Sequence, residues 1–238
     1  MSQPRIILKL SGESLAGSTG WGIDLKSLFR IAEELKAAHQ NKVQIGVVVG
    51  GGNIWRGGRD QGLKLDRVIA DNMGMLATLI NALALQDACE QVGVHTRVLS
   101  AVEVAKVAEP FIRRRAIRHL EKGRMIIFAA GTGNPYFSTD TAAALRGIEI
   151  GASLLLKATQ VDGIYSDDPK KNPDAVLYHK ISYHEAIQKQ LKIMDASALA
   201  LCQEHRLPVR VFNLHKTESI RKALCGEKFG TLLSESIE

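Results

Sequence analysis

Met125-Ile126-Ile127-Phe128-Ala129-Ala130 runs into Gly131-Thr132-Gly133-Asn134-Pro135-Tyr136-Phe137-Ser138-Thr139-Asp140, then into Thr141-Ala142-Ala143-Ala144-Leu145-Arg146-Gly147, and further on comes Leu154-Leu155-Leu156-Lys157-Ala158-Thr159. The first segment is a short, unbroken apolar run of the kind that fills a buried parallel strand. The second is a loop of glycines, hydroxyls and a proline. The third is a helical pattern that Thr139 or Asp140 can cap. The fourth is another buried-strand pattern, followed by Val161-Asp162-Gly163-Ile164-Tyr165 with Asp167-Asp168-Pro169. Strand, loop, helix, strand is the repeating unit of a parallel α/β sheet. Such sheets bind ligands outside the carboxyl ends of their strands.

The same alternation extends outward in both directions. Arg5-Ile6-Ile7-Leu8-Lys9-Leu10 reads as a first strand ending in Ser11-Gly12-Glu13-Ser14, and Gly17 to Gly22 as a flexible loop. Asp24 begins an amphipathic helix with Leu25, Leu28, Ile31, Ala32 and Leu35 at helical spacing. Val43 to Val49 is a buried strand ending in Gly50-Gly51-Gly52-Asn53. Val68 to Val92 reads as a long helix with Met73, Met75 and Leu76 in the core, Thr96 to Leu99 as a strand, and Glu109 to Glu121 as a basic helix. Beyond Tyr165 the pattern gives helices at Tyr183–Gln190, Asp195–His205 and Leu214–Leu224, with strands at Val209–Phe212 and near Thr231-Leu232-Leu233. The fold class is α/β with a mainly parallel central sheet.

Composition excludes more than it selects. The chain of 238 residues is 45% hydrophobic and 24% charged, ordinary for a soluble globular protein. Its net charge of +6 suits an enzyme that handles phosphates without requiring one. No zinc-finger spacing or aromatic-interleaved basic stripe points to nucleic acid, and Arg113, Arg114, Arg115 and Arg118 read as a solvated face or a subunit contact. Cys89, Cys202 and Cys225 are too few and scattered for a disulfide framework. Met1-Ser2-Gln3-Pro4-Arg5 leads straight into a strand without a signal-peptide core, and no apolar run approaches bilayer-spanning length. A cytoplasmic protein without membrane or nucleic-acid partners is expected. His184-Glu185 lacks a second histidine four residues on, so no metal site is assigned to it.

Chemistry gathers at the strand ends. An ammonium inside an apolar strand must meet an anion or a polar cleft, which singles out Lys9 and Lys157. Glycines after a strand let backbone amides approach a ligand, which singles out Gly12 and Gly50 to Gly52, and Arg56 can clamp a phosphate. Neither Walker A nor the dinucleotide fingerprint is present. Phosphoryl transfer needs positive charge around the moving group and little covalent chemistry from the protein, and two strand-borne lysines meet that need. Asp140 is placed to orient them or to hold a metal through water, with a plain helix cap as the alternative.

Taken in order, these segments resemble the bacterial uridylate kinases of the amino acid kinase family. The residues that carry the match are Leu8-Lys9-Leu10-Ser11-Gly12-Glu13, Val49-Gly50-Gly51-Gly52-Asn53 with Arg56, Asp71-Asn72-Met73-Gly74-Met75-Leu76-Ala77-Thr78, Gly131 to Asp140, Lys157-Ala158-Thr159 with Val161-Asp162-Gly163, Asp168-Pro169, Met194-Asp195 and Val211-Phe212-Asn213. The match runs from about Arg5 to Leu233. The triple glycine and first lysine mark the superfamily, and the 131–140 segment marks the uridylate branch.

The resemblance implies a three-layer α/β/α sandwich, one domain over residues 1–238 with an acceptor-binding half up to about 150 and an ATP-binding half from about 151, and a homohexamer. It implies transfer of the ATP γ-phosphate to UMP with Mg2+. Lys9, Leu10, Ser11, Gly12, Gly52 and Arg56 would line the ATP phosphates, and Thr159, Tyr165 and Asp168 would seat its base and ribose. Gly51, Asp71, Thr132, Gly133, Asn134, Pro135, Tyr136, Phe137, Ser138 and Thr139 would hold UMP, with Asp71 on the ribose hydroxyls. Lys9 and Lys157 would stabilise the transferring group, with Asp140 keeping them oriented and Asp195 as a second carboxylate. GTP activation and UTP inhibition would act through the Gly17–Gly22 loop. Two rivals stand beside this reading: a kinase of the same superfamily acting on an acyl acceptor such as acetylglutamate, aspartate or carbamate, and a non-catalytic nucleotide-sensing protein on the same fold.

Overall fold

The computed structural model describes residues 3–56 and 65–235, so Met1 and Ser2 of the expected strand approach lie outside it. In chain order the elements are β1 (Arg5–Leu10), α1 (Leu25–Gln40), β2 (Gln44–Val49), α2 (Arg67–Gln91), β3 (Thr96–Ser100), β4 (Glu109–Pro110), α3 (Arg113–Glu121), β5 (Met125–Ala129), α4 (Thr139–Ile150), β6 (Leu154–Thr159), β7 (Ile164–Tyr165), β8 (Leu177–Tyr178), β9 (Lys180–Ser182), α5 (Tyr183–Gln188), α6 (Ala196–Glu204), β10 (Val209–Asn213), α7 (Ser219–Leu224) and β11 (Thr231–Ser234). Nine strands form one sheet in the order β4-β3-β5-β2-β1-β6-β10-β11-β9, and β7 and β8 form a separate hairpin. Every pairing in the large sheet is parallel except β10 with β11.

Strand periodicity sorts the side chains into two layers. Ile6, Leu8 and Leu10 of β1 face a core shared with α1, α2 and α7, whereas Ile7 faces a core shared with α3, α4 and α6. The α/β/α sandwich follows from both sheet faces being apolar. In α1, Leu28, Ile31, Ala32 and Leu35 are buried, and Asp24 caps the helix by accepting the Ser27 N–H at 2.8 Å. A cap of this kind is worth about 1 kcal/mol.

Several boundaries and burials differ from the sequence reading. The cap of α4 is Ser138, which accepts from the Asp140 and Thr141 N–H groups, rather than Thr139 or Asp140. Asp140 is then the second residue of the helix, free to use its carboxylate elsewhere. The Glu109–Glu121 helix starts only at Arg113, because Glu109-Pro110 is drawn onto the sheet edge beside β3. Helix Leu214–Leu224 starts at Ser219, after Glu218 in a left-handed conformation. Loop Gly17–Gly22 contains a 3-10 turn at Gly17–Thr19.

Helix α2 corrects two further expectations. Met75 is buried, but Met73 and Leu76 are exposed on the opposite side of the helix. Its 25 residues, with mean hydropathy 1.5 over an 18-residue window, also meet the length and composition for crossing a bilayer, which no run was expected to approach. The sequence pattern conceals this because asparagine, aspartate and glycine interrupt the apolar residues. Here the helix lies against α1, β3 and β5, with 44% of that window buried in the fold.

Candidate active site

The two strand-borne lysines are neighbours. β1 and β6 run side by side in parallel with Lys9 paired directly to Lys157, so both side chains leave the same face of the sheet. That face is covered by α4, and Asp140 in its first turn meets both. Lys9 Nζ lies 2.9 Å from Asp140 Oδ1, while Lys157 Nζ donates to Asp140 Oδ2 and to the Ile193 carbonyl. The cluster sits where the chain departs to β2 on one side of β1 and arrives at β6 on the other. This is the topological switch point at which open α/β sheets bind ligands.

All three side chains are nearly buried, and burial shapes their charge states. Burial pushes the Asp140 carboxyl up, but Lys9 and Lys157 together outweigh it, leaving the group below its ordinary value and ionised. Burial also pushes Lys157 down, and here it prevails over the opposing pull of Asp140, with Lys9 adding repulsion. Two lysines share one bridging carboxylate here, with Asp195 close enough to act on Lys157 without a hydrogen bond. A cluster of this kind can take up a phosphate, whose negative charge would relieve the lysine repulsion.

Beside this cluster the loops after β1 and β2 interlock through glycine backbones. The Gly50 N–H donates to the Leu10 carbonyl at 2.9 Å, and a side chain on Gly12 would lie 2.7 Å from Gly52 N and 2.3 Å from Asn53 Oδ1. A side chain on Gly51 would lie 2.9 Å from the Gly74 carbonyl of α2. Gly52 differs, since a Cβ there would meet no protein atom within 4 Å. Protein packing therefore demands glycine at 12 and 51, whereas at 52 it leaves room for something else to approach the backbone. Ser11 opens the turn after β1, and its carbonyl accepts the Ser14 N–H. Arg56 donates to the Gly52 carbonyl and pairs with Glu13 at 2.9 Å, so its guanidinium is held at the rim of this loop.

The 131–140 segment closes over the same edge. It leaves β5 through Ala130, Gly131 and Gly133, all with positive φ, and Tyr136 at φ 72° turns it back toward α4. Thr132 and Asn134 form a hydroxyl turn, and Thr139 Oγ1 lies 3.5 Å from where a Cβ on Gly50 would sit. Asp71 reaches across from α2: its Oδ2 accepts the Tyr136 N–H and the Arg67 Nε–H, each at 2.8 Å. Asp66, not Asp71, caps α2. Tyr136 and Phe137 leave their rings exposed beside Pro135.

Thr159, Tyr165 and Asp168 line a separate hollow of about 630 Å³ with Gly163, Lys171 and Ile193. Thr159 spends its hydroxyl inside its own turn, on the Val161 and Phe212 carbonyls, so it shapes the wall rather than offering a free donor. Gln190 to Ile193 separate this hollow from a second of about 640 Å³ that has Asp140 and Lys157 in its lining. Asp195 caps α6 through the Ala198 N–H and accepts from the Ser138 and Thr141 hydroxyls of α4. Burial raises its pKa, but those hydrogen bonds bring it below the ordinary value. It ties two helix starts together without touching either lysine through a hydrogen bond.

Sequence reasoning passed over the Ile193 carbonyl and two buried polar residues of α2. Thr78 Oγ1 accepts the Ala130 N–H at 2.8 Å, and Asn81 donates to the Gly50 carbonyl at 2.7 Å. Polar side chains three apart in an otherwise apolar helix were the available signal, since buried polar groups need partners.

A family model described as the amino acid kinase family matches residues 4–213. A uridylate kinase of Methylococcus capsulatus is 53% identical over 236 residues, covering 98% of this chain and 99% of that protein. The solved UMP kinase from Bacillus anthracis superposes with a TM-score of 0.94 at 37% identity, covering 98% of each chain. That from Ureaplasma parvum gives 0.93 at 41% identity, covering 99% of this chain and all of that one. The parallel sheet, the paired lysines at its switch point and these full-length similarities converge, and the chain belongs to the amino acid kinase family.

Proposed function

We propose that the protein is a UMP kinase, transferring the γ-phosphate of ATP to UMP to give UDP for pyrimidine nucleotide synthesis. The observation that carries the mechanism is the in-register pair Lys9–Lys157 bridged by Asp140 at the edge where the glycine and hydroxyl loops meet. Full-length similarity to uridylate kinases supports UMP as acceptor and does not favour an acyl acceptor or a protein without catalysis.

In this reading the ATP base and ribose occupy the hollow at Thr159, Tyr165 and Asp168. The phosphates run from there past Lys157 and Lys9 toward Gly12, Gly52 and Arg56. UMP lies against Gly51, Asp71 and the Thr132–Thr139 loop, and its phosphate oxygen is the nucleophile. That oxygen is already ionised near neutral pH, so no general base is required. Asp140, ionised and bound to two lysines, fits an orienting role: it holds both ammonium groups aimed at the transferring phosphoryl group. The two halves of the chain, up to about 150 and from about 151, then serve acceptor and donor respectively.

Among the described residues no three His, Cys, Asp or Glu side chains gather to hold a metal ion. The Mg2+ in this proposal would enter with ATP and would supply further neutralisation of its phosphates. Homohexamer assembly is supported by the exposed apolar row Ile69, Met73, Leu76 and Ile80 on α2, since such a stripe marks an interface. Light scattering that gives a monomer would reject it. The proposal places the enzyme in the cytoplasm, where its substrates are made and three unpaired cysteines stay reduced. Response to GTP and UTP is supported by the tether between Gly22 and Asn53, whose backbone and side-chain hydrogen bonds join the 17–22 loop to the glycine loop. Rates that stay constant across a GTP titration at subsaturating UMP would remove that part.

The deciding experiment is an ADP-release assay on purified protein with UMP, CMP, acetylglutamate, aspartate and carbamate as acceptors. Preference for UMP is expected. Preference for an acid, or nucleotide binding without turnover, would overturn the assignment.

A further inference from the structure

We propose that Thr78 and Asn81 are positioning residues for the transfer, holding the acceptor loop and the glycine loop in fixed relation through one face of α2. The inference rests on the UMP kinase reading for its kinetic consequences, but its geometric basis does not depend on the substrate.

Asp71, Gly74, Thr78 and Asn81 follow one another at steps of three and four, so they lie along one face of the helix. Each touches a loop that the site needs. Asp71 accepts the Tyr136 N–H near the far end of the acceptor loop, and Gly74 lies against Gly51. Thr78, almost fully buried, donates to the Met75 carbonyl and accepts the Ala130 N–H, both at 2.8 Å. Ala130 has φ 62°, a left-handed conformation that a residue with a Cβ keeps only when its surroundings hold it. The Thr78 hydroxyl is such a hold, at the point where the acceptor loop departs from β5.

Asn81 performs the matching task on the other loop. It is fully buried, and its two amide hydrogens go to the Gly50 carbonyl at 2.7 Å and to Asn53 Oδ1 at 2.6 Å. Its own oxygen accepts from Asn53 Nδ2 at 3.0 Å, closing a reciprocal amide pair. The Gly50 carbonyl and the Gly51 N–H belong to one planar trans peptide, so fixing the first turns the second to point away from α2. One rigid helix therefore sets the direction of the Gly51 amide and the departure of the 131–137 loop together. Other groups in the fold use these hydrogen bonds up, so neither side chain is available to touch substrate.

The test uses Thr78→Val, Thr78→Ser, Asn81→Ala and the wild type, with UMP and ATP varied separately. Hydrogen exchange is followed in ligand-free protein over peptides covering 129–137 and 49–54. Thr78→Val is expected to raise the UMP KM about tenfold, the scale of one buried hydrogen bond left unmade, with the ATP KM within about twofold. Exchange should accelerate in 129–137, and Thr78→Ser should restore both readouts. Asn81→Ala should raise both KM values and accelerate exchange in 49–54. Thr78→Ala replaces the valine variant if that protein does not fold. Variants that lose only thermal stability, with wild-type KM values and wild-type exchange in these peptides, would overturn the inference. A wild type inactive on UMP whose variants still show the loop-specific exchange would overturn the substrate reading and leave the positioning role standing.

Discussion

Replacing Asp140 by Asn removes one charge from the centre of a buried triad and leaves its shape almost unchanged. At 2.9 Å and an effective dielectric near 20, the Lys9–Asp140 attraction is roughly 6 kcal/mol gross, and the Lys157 contact is of the same order. Much of this is offset by the desolvation of all three groups, and breaking a buried pair by removing one partner typically costs about 3–5 kcal/mol. Lys157 bears part of the loss on a group whose charged form burial already disfavours, since its pKa lies below the ordinary lysine value. We therefore expect Asp140→Asn to lose about 3 kcal/mol near neutral pH. We expect its kcat to fall on the order of a hundredfold or more, as when a transition-state donor is misplaced.

The pH dependence gives this prediction a sign. In the wild type Asp140 titrates below 3.8, so its contribution to stability is complete above that value and disappears as pH falls through its lowered pKa. The variant has no such acid limb. Without Asp140, burial and Lys9 act on Lys157 against the weaker pull of Asp195 alone, and its folded pKa drops further. Between that value and 10.5 the unfolded chain binds more protons than the folded one, so the stability of the variant should rise with pH. Urea unfolding at fixed protein concentration from pH 6 to 9.5 measures this directly, alongside steady-state UDP formation. A variant as stable as the wild type with a flat profile, or one with near-wild-type turnover, would refute the coupling.

Lys157→Met should behave differently from Asp140→Asn. Lys9 stays as a partner for Asp140 and the replaced ammonium was disfavoured by burial, so the variant should lose less stability than Asp140→Asn while kcat falls on the order of a hundredfold; a loss as large as that of Asp140→Asn contradicts the charge balance. Asp71→Ala removes the acceptor of the Tyr136 N–H and should mainly raise the UMP KM, by about tenfold, as initial-rate kinetics will show. The two neighbouring glycines should separate packing from binding. Gly51→Ala places a Cβ 2.9 Å from the Gly74 carbonyl and should lower the melting temperature. Gly52→Ala meets no protein atom and should melt like wild type while its ATP KM rises; equal effects at both positions would argue against an open backbone at Gly52.

How much of this was legible beforehand depends on the range of the forces involved. An ammonium inside Ile6 to Leu10 or Leu154 to Ala158 must find an anion wherever the chain goes, so Lys9 and Lys157 stood out locally. Their joint role at one site was legible too, but not their direct register, because that needs β1 beside β6 and no local pattern fixes strand order. Ser138, Thr139 and Asp140 are all competent caps, and tertiary demand chose among them: Asp195 holds the Ser138 hydroxyl and the lysines hold Asp140. Met73 and Leu76 were misplaced for a related reason. Helical spacing identifies an apolar face but not what covers it, and α2 has one such face on the sheet and another exposed.

The location of the site then follows from a conflict that the fold creates and resolves. Same-face neighbours on adjacent parallel strands stand about 5 Å apart, too close for two buried ammonium groups to remain charged unaided. The first turn of α4 brings a carboxylate to that spot, and the positive end of the helix dipole favours its ionised form. Asp195 fixes the turn by gripping Ser138 and Thr141, and the Ile193 carbonyl, two residues earlier, takes the other side of Lys157. The segment 193–195 thereby locks the angle between α4 and β6 at the point where charge must be delivered. A phosphate entering this edge meets cations whose repulsion has already been offset by folding. On the proposed function, those lysines would then act on the transferring group with little reorganisation left for the reaction itself.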